Sequence, residues 1–444
     1  MNPRLFDEDV RSFVQKQNGV FLTLSDDPSF NKNLRATLIR HLSLKEDSIR
    51  GVSTPEILQK EIKLAARQGK RPLLFIEREF DGKPTMALIT FIKNENPDFL
   101  VVVLTTEIAR EKLILLHEAG ISNIITKPIS PDTLIEKIAF TVKPPSAIGQ
   151  LMDEGRVHLE LKNPEAALDV ARKILDEVKP GSPAAFILMG DAYKALGKRV
   201  EALAAYNSAA SSNKLYLDPL KRIADLHHDE GEIVEETKYL EKLDRLSPLN
   251  IERKVAIGGN YIDLGDQGRA QEYFDVAVKT ATREAMTDVS KVTRAIAERC
   301  IKNAPEMSER YLRDTLESRK GSLDSSDIET FNRLGLTLRK QGKWREAIEE
   351  YHKALAISPK DENLYYNIAM AHAEGKNYQD AEKNLMQAIR ISPNLHGDSE
   401  TVCFNIAMIF HRVARTSLAI TYLKKALEIN PRFENARKML QSLG

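Results

Sequence analysis

The sequence predicts two folds in one chain. The first is a doubly wound α/β domain on a five-stranded parallel sheet, residues 1–142; the second is an all-α solenoid of helix pairs, residues 150–444. Three observations predict this. As far as Val142, continuous runs of Val, Ile and Leu alternate with helix-length amphipathic stretches, the pattern of strands buried on both faces. Beyond it the strand-like runs stop, and an Ala-rich pattern punctuated by Gly and Pro returns in steps of 34 and 35 residues. Between the two lies "KPPSAIG", Lys143–Gly149, whose two prolines cannot continue a helix and mark a short linker.

In the first part, strands are expected at Gly19–Leu24, Ser48–Val52, Leu73–Ile76, Phe99–Leu104 and Asn123–Ile125. Helices are expected at Phe30–Leu44, Pro55–Gln68, Met86–Asn94, Ala109–Ala119 and Pro131–Thr141, with Gly120 as a C-cap. Such a sheet binds ligands outside the carboxyl ends of its strands. The residues there are Ser25, Asp26 and Asp27 after the first strand and Glu77 after the third. Thr105 and Thr106 follow the fourth, and Lys127-Pro128 follows the fifth.

This arrangement resembles the receiver domain of two-component response regulators over nearly all of residues 18–141. The "TKP" of Thr126–Pro128 and Thr105 at the end of a Val-rich strand carry most of the likeness. The resemblance implies an aspartate at the end of the third strand that takes a phosphoryl group from a histidine kinase. It also implies acids that bind Mg²⁺, and a hydroxyl and a lysine on the phosphoryl oxygens. Metal and lysine are needed to neutralise charge on the transferring group. Asp26 matches a Mg²⁺-binding acid, Thr105 the hydroxyl and Lys127 the lysine, with Asp27 beside them. Three positions depart: Ser25 replaces the first acid, Glu77 the phosphoacceptor, and Ile124 the usual switch aromatic.

One more methylene moves a carboxylate about 1.5 Å further out, and in-line transfer tolerates little misplacement. The expectation is a pseudo-receiver that is not phosphorylated in the usual way and needs no cofactor. Any Mg²⁺ site on Asp26 and Glu77 is expected to be weak or lost. Glu77 then reaches toward Lys127 and Thr105, either imitating a phosphorylated aspartate or forming only a structural ion pair. The alternative is a phosphorylation-competent response regulator whose repeats are the output domain.

In the second part, "QGKWREAIEEYHKALAISP" (Gln341–Pro359), "GKNYQDAEKNLMQAIRISP" (Gly375–Pro393) and "ARTSLAITYLKKALEINP" (Ala414–Pro431) are one pattern. Small residues recur at Gly155, Gly190, Ala224, Gly258, Gly335, Ala369 and Ala407, where two helices must approach closely. Second-helix alanines sit at Ala167, Ala202 and Ala270, with Glu236 in place of one. These residues resemble the tetratricopeptide repeat family over roughly residues 148–444. One unit, 280–327, departs from the pattern and is read as a helix pair plus a polar loop. Asn435–Leu443 reads as a terminal capping helix.

A solenoid of this kind presents a groove lined by first helices, in which protein or peptide segments lie. Candidate lining residues are Asn332, Arg339, Asn367, Met370, Asn405 and Met408, with Asp191, Lys194, Lys221, Asp225 and His228 in earlier repeats. The Lys-then-Asn spacing of the family's carboxylate clamp is missing from the first helices. A partner of the signalling kind, such as a histidine kinase, follows from the receiver resemblance, which also allows a homodimer.

The totals agree with a non-enzymatic adaptor. Lys and Arg balance Asp and Glu to leave +1, which announces no nucleic-acid surface. The nine His and two Cys, Cys300 and Cys403, show no metal or disulfide spacing. No catalytic loop or elbow motif is present. With no apolar span and no leader-like start, a cytoplasmic bacterial protein is expected.

Overall fold

A computed structural model describes residues 3–106, 109–143, 146–177, 182–212, 216–284, 289–395, 397 and 399–443. Pro144 and Pro145 of the expected linker lie outside these residues, as do residues 285–288 of the unit at 280–327.

The α/β part begins with α1 (Pro3–Lys16), β1 (Gly19–Leu24), α2 (Pro28–Arg35), β2 (Ile49–Val52), α3 (Pro55–Arg67) and β3 (Arg71–Glu77). A hairpin follows, β4 (Glu79–Phe80) and β5 (Lys83–Pro84). Then come α4 (Met86–Glu95), β6 (Leu100–Thr105), α5 (Arg110–Glu118), β7 (Asn123–Thr126) and α6 (Pro131–Val142). The main sheet has five parallel strands in the order β2-β1-β3-β6-β7. This is the doubly wound order with a switch point between β1 and β3.

Period-two alternation divides the strand residues between two cores. Phe21, Leu73, Phe75, Val102, Leu104 and Ile125 pack with residues of α1, α2 and α6. Leu22, Leu24, Leu74, Ile76, Val101 and Val103 pack with residues of α3 and α4 and with Leu116 of α5. Both clusters hold nearly inaccessible side chains, which is why the strands read as unbroken apolar runs.

Three features differ from the expectation. The helix after β1 does not run regularly to Leu44. It ends at Arg35 and passes into a π-helical turn over Ala36–His41, where the Leu42 N–H reaches back five residues to the Thr37 carbonyl. The turn keeps Leu34, Leu38 and Leu42 all buried. Second, α1 was not foreseen; it seats Phe13 so close to Gly19 that a Cβ there would lie 2.4 Å from the ring. Third, a hairpin of two-residue strands, joined by Asp81-Gly82, follows β3 where no strand was expected. Asp81 and Gly82 both have positive φ, the two-residue loop that matches strand twist.

The rest is helical, in antiparallel pairs. These are α7 (Ala147–Glu160) with α8 (Pro164–Glu177), α9 (Pro183–Ala195) with α10 (Arg199–Ser212), and α11 (Asp218–Asp229) with α12 (Ile233–Leu246). α13 spans Ile251–Asp263 and α14 spans Gln267–Glu284, and α15 (Val289–Cys300) pairs with α16 (Pro305–Ser318). α17 (Ile328–Lys340) pairs with α18 (Trp344–Ile357), α19 (Glu362–Glu374) with α20 (Tyr378–Ile391), and α21 (Glu400–Arg412) with α22 (Thr416–Ile429). The last helix is α23 (Glu434–Ser442).

Close approach within a pair explains the recurring small residue. A Cβ on Gly190 would stand 2.3 Å from the Tyr206 ring, and one on Gly335 2.3 Å from the Tyr351 ring. Where Glu236 replaces the second-helix alanine, it is buried and meets His228 Nδ1 at 3.1 Å. His227 stacks on Tyr239, in an aromatic packing position.

The chain divides into two compact units: residues 1–260 with 279–287, and residues 261–278 with 288–444. The first therefore contains the α/β domain and the opening repeats.

Candidate functional site: a closed charge cluster at the sheet edge

The carboxyl ends of β1 and β3 and the residue after β7 bring Ser25, Asp27, Glu77 and Lys127 together. Glu77 is the last residue of β3 and is only 5% exposed. Its Oε1 accepts from Ser25 Oγ at 2.6 Å and from Lys127 Nζ at 2.7 Å. Lys127 Nζ also donates to Asp27 Oδ2 at 2.9 Å. Asp27 is fixed in turn as the N-cap of α2, its Oδ1 accepting from the Ser29 and Phe30 amides. The Lys127 amide donates to the Thr105 carbonyl at 2.8 Å, and Thr105 is buried at the end of β6.

The electrostatics follow from this geometry. Burial alone would lower the Lys127 pKa, but the hydrogen bonds and charges of Glu77 and Asp27 outweigh it and hold it above the usual lysine value. Asp27 is held below the usual carboxylate value, chiefly by its hydrogen bond from Lys127.

Asp26 stands apart. Its Oδ2 accepts from the Asp81 amide at 2.9 Å, so it holds the β4–β5 hairpin. The Thr85 hydroxyl, just past that hairpin, donates to the Glu77 and Arg78 carbonyls. The residues do not fit a divalent metal. The inward carboxylate oxygen of Glu77 already carries an ammonium and a hydroxyl hydrogen, Ser25 stands where the first metal-binding acid would be, and Asp26 is engaged by the hairpin. Among the described residues no group of three or more His, Cys, Asp or Glu could hold a metal ion.

The sequence-predicted groove residues are placed less uniformly. Asn367 Nδ2 donates to Asn332 Oδ1 at 3.1 Å, and Asn405 Nδ2 to the Tyr366 hydroxyl at 3.0 Å. These bonds join first helices of neighbouring pairs. Arg339 is bidentate to Glu374, 3.0 Å from Nε and 2.6 Å from Nη2. Met370 is buried, packed with Ala407 and Phe410, and so is a core residue rather than a lining one. Met408 is half-buried.

A cavity of about 360 Å³ opens instead in the earlier repeats, against α7, α9 and α11. Met152, Arg156, Asp191, Lys221, Arg222 and Asp225 are among its lining residues. Burial raises the Asp191 carboxyl, against the opposing pull of Arg222 at 3.1 Å, and Tyr206 donates to it at 2.8 Å. Burial and Asp218 push the Tyr216 hydroxyl up to about 12. Arg156, Tyr216 and Arg222 were missed; the first-helix frame that picked out Asp191, Lys221 and Asp225 could have found Arg156 and Arg222.

Comparison with known proteins bears on the helical part. Models of the tetratricopeptide repeat match residues 152–216, 362–395 and 400–433, and a TPR repeat model matches residues 335–375. The chain thus carries tetratricopeptide repeats. It is 34% identical over 111 residues to the Hsp70-Hsp90 organising protein of Plasmodium falciparum, a match covering 23% of this chain and 19% of that protein. It is 34% identical over 67 residues to the peroxisomal targeting signal receptor of Kluyveromyces lactis, covering 15% of this chain and 12% of that one. A photosystem I assembly protein of Synechococcus elongatus is 29% identical over 96 residues, 21% of this chain and 53% of that one. The chain thus spans from about an eighth to about half the length of these relatives.

Among solved structures, a tetratricopeptide repeat protein from Parabacteroides merdae is 16% identical, covering 67% of this chain and 98% of that one, with a TM-score of 0.35. YrrB, described as a TPR protein with an unusual peptide-binding site, is 21% identical, covering 43% of this chain and 94% of that one, with a TM-score of 0.28. Among the described residues no helix is long and apolar enough to cross a membrane.

Proposed function

We propose that this chain is a non-enzymatic signalling adaptor, in which residues 1–142 are a pseudo-receiver and residues 150–444 bind a protein or peptide partner. The observation that carries the reading is the state of Glu77. At the place where a receiver would carry its phosphoacceptor, a buried carboxylate is satisfied by Lys127 and Ser25 from within its own module. The lysine that would meet an incoming phosphoryl group is already engaged twice. An incoming phosphoryl donor would have to displace both partners, without the metal that neutralises its charge.

The repeats supply the binding function. The cavity against α7, α9 and α11 offers both signs of charge beside apolar surface, which suits a polar peptide segment. Two relatives, an organising protein and a targeting-signal receptor, are of the same character. A histidine kinase or another signalling protein is the partner class that the receiver resemblance suggests.

The test is incubation of the full chain with Mg²⁺ and acetyl phosphate, followed by intact mass. The expected result is no phosphoryl adduct. An adduct on Glu77 or a neighbouring acid would replace this reading with that of a working response regulator.

A further inference from the structure

A second buried carboxylate lies at the other end of α5. Glu118 is the last residue of that helix, where the exposed carbonyl ends of the helix disfavour an anion. Its side chain is nonetheless only 5% exposed. Among the described residues, its side-chain partners come from the repeats. Arg253 Nη2 donates to Oε1, Ser247 Oγ to Oε2 at 2.7 Å, and Asn250 Nδ2 to Oε1 at 3.2 Å. Lys221 Nζ lies 3.4 Å from both Oε1 and the backbone carbonyl of Glu118.

The receiving surface is itself built. Arg253 is as buried as Glu118, and its other guanidinium nitrogen is held by the Leu243 and Ser247 carbonyls at 3.1 and 3.2 Å. Asn250 is fixed by the Arg253 amide, which donates to its Oδ1 at 2.9 Å. Burial pulls the Arg253 guanidinium below its usual value, with Glu118 and Asp244 acting against that shift. Removing one of the two ions while the contact stays closed would leave the other as a buried charge without its counterion.

Residues on α11, at the end of α12 and at the start of α13 therefore form a carboxylate receptor, and its occupant is in the same chain. We propose that this surface is a docking site whose partner is the chain's own α/β module, with Glu118 as the plug, and that while Glu118 holds it the surface is closed to other chains. Lys221 also lines the neighbouring cavity, so the plug sits at the edge of the region proposed above for partner binding. The inference rests on the contacts of Glu118 alone and does not require the adaptor reading to be right.

The experiment is hydrogen–deuterium exchange on the full chain, comparing the native protein with Glu118→Ala, Arg253→Glu and the charge reversal Glu118→Arg/Arg253→Glu. Exchange should rise about tenfold in residues 110–118 and 251–258 together in each single variant, equivalent to about 1.4 kcal/mol of lost protection. The reversal should recover part of the protection, while β1 and β3 stay protected throughout. Ser247→Ala, which removes one donor and no charge, should raise both segments by a smaller factor and covers the case in which a charge variant fails to fold. The proposal is overturned if Glu118→Ala leaves both segments as protected as in the native chain. It is equally overturned if exchange rises only in the segment that bears each substitution, or if the reversal is no better than the singles.

Discussion

Glu77 and Glu118 are buried to the same degree and each meets a cation, yet they belong to different kinds of structure. Glu77 is satisfied wholly within the α/β module, by Ser25 from β1's loop and Lys127 from β7's. Glu118 is satisfied wholly by the repeats. The first charge therefore persists whatever the repeats do, and the second is buried only while the two parts are docked. One carboxylate reports the state of a module and the other the contact between modules. The repeats show a third use of charge, in which pairs such as Arg339–Glu374 join one repeat to the next at the surface.

The largest effect expected from breaking this comparison is at Lys127. Lys127→Met leaves Glu77 buried with only a hydroxyl for company, and removing one partner of a buried pair costs about 3–5 kcal/mol. Chemical denaturation should show that loss, and the double variant Glu77→Leu/Lys127→Met should recover most of it. If the single variant is as stable as the native chain, the ion pair is not the structural centre described. Asp27→Ala should cost less, about 1 kcal/mol for the lost cap of α2, because Lys127 keeps Glu77.

The smallest effect is the pH profile. Lys127 has its folded pKa raised above 10.5, so its contribution is complete below that value and fades as pH rises through the folded value. Asp27 has its folded pKa depressed below 3.8, so its contribution is complete above that value and fades as pH falls through the folded value. The difference in denaturation midpoint between the native chain and Lys127→Met, which isolates the cluster, should be flat between these limits and shrink as pH rises above 10.5. A stability that rises through pH 10.5 would have the wrong sign for this cluster.

Much of this was legible in the sequence, for reasons that differ by region. The five strands are visible because both faces of a parallel sheet are covered, which leaves nothing but apolar residues in them. The repeats are visible because Gly190 and Gly335 answer to the same ring contact in different copies. Glu77 and Lys127 could be brought together because the carboxyl ends of all the parallel strands lie along one edge of the sheet, although β6 stands between β3 and β7.

The diversion of Asp26 could not be read, because it depends on a hairpin of two-residue strands too short to show a period. The Glu118 contact was also hidden. Glu118 and Arg253 look like solvated helix charges in the sequence, and only tertiary packing brings them together. Met370 sits on a first helix like the other groove candidates, but which side of the helix it faces is decided by packing against the next pair.

The central claim is that the pocket around Glu77 is closed by its own residues. Fluorine NMR of the full chain with Mg²⁺ and beryllofluoride tests it most directly, with Ser25→Asp/Glu77→Asp as the comparison. The account predicts no bound fluoride signal in the native chain and the appearance of one in the double variant, where aspartates stand at both positions and Lys127 is freed to meet the ligand. A bound signal in the native protein would contradict it.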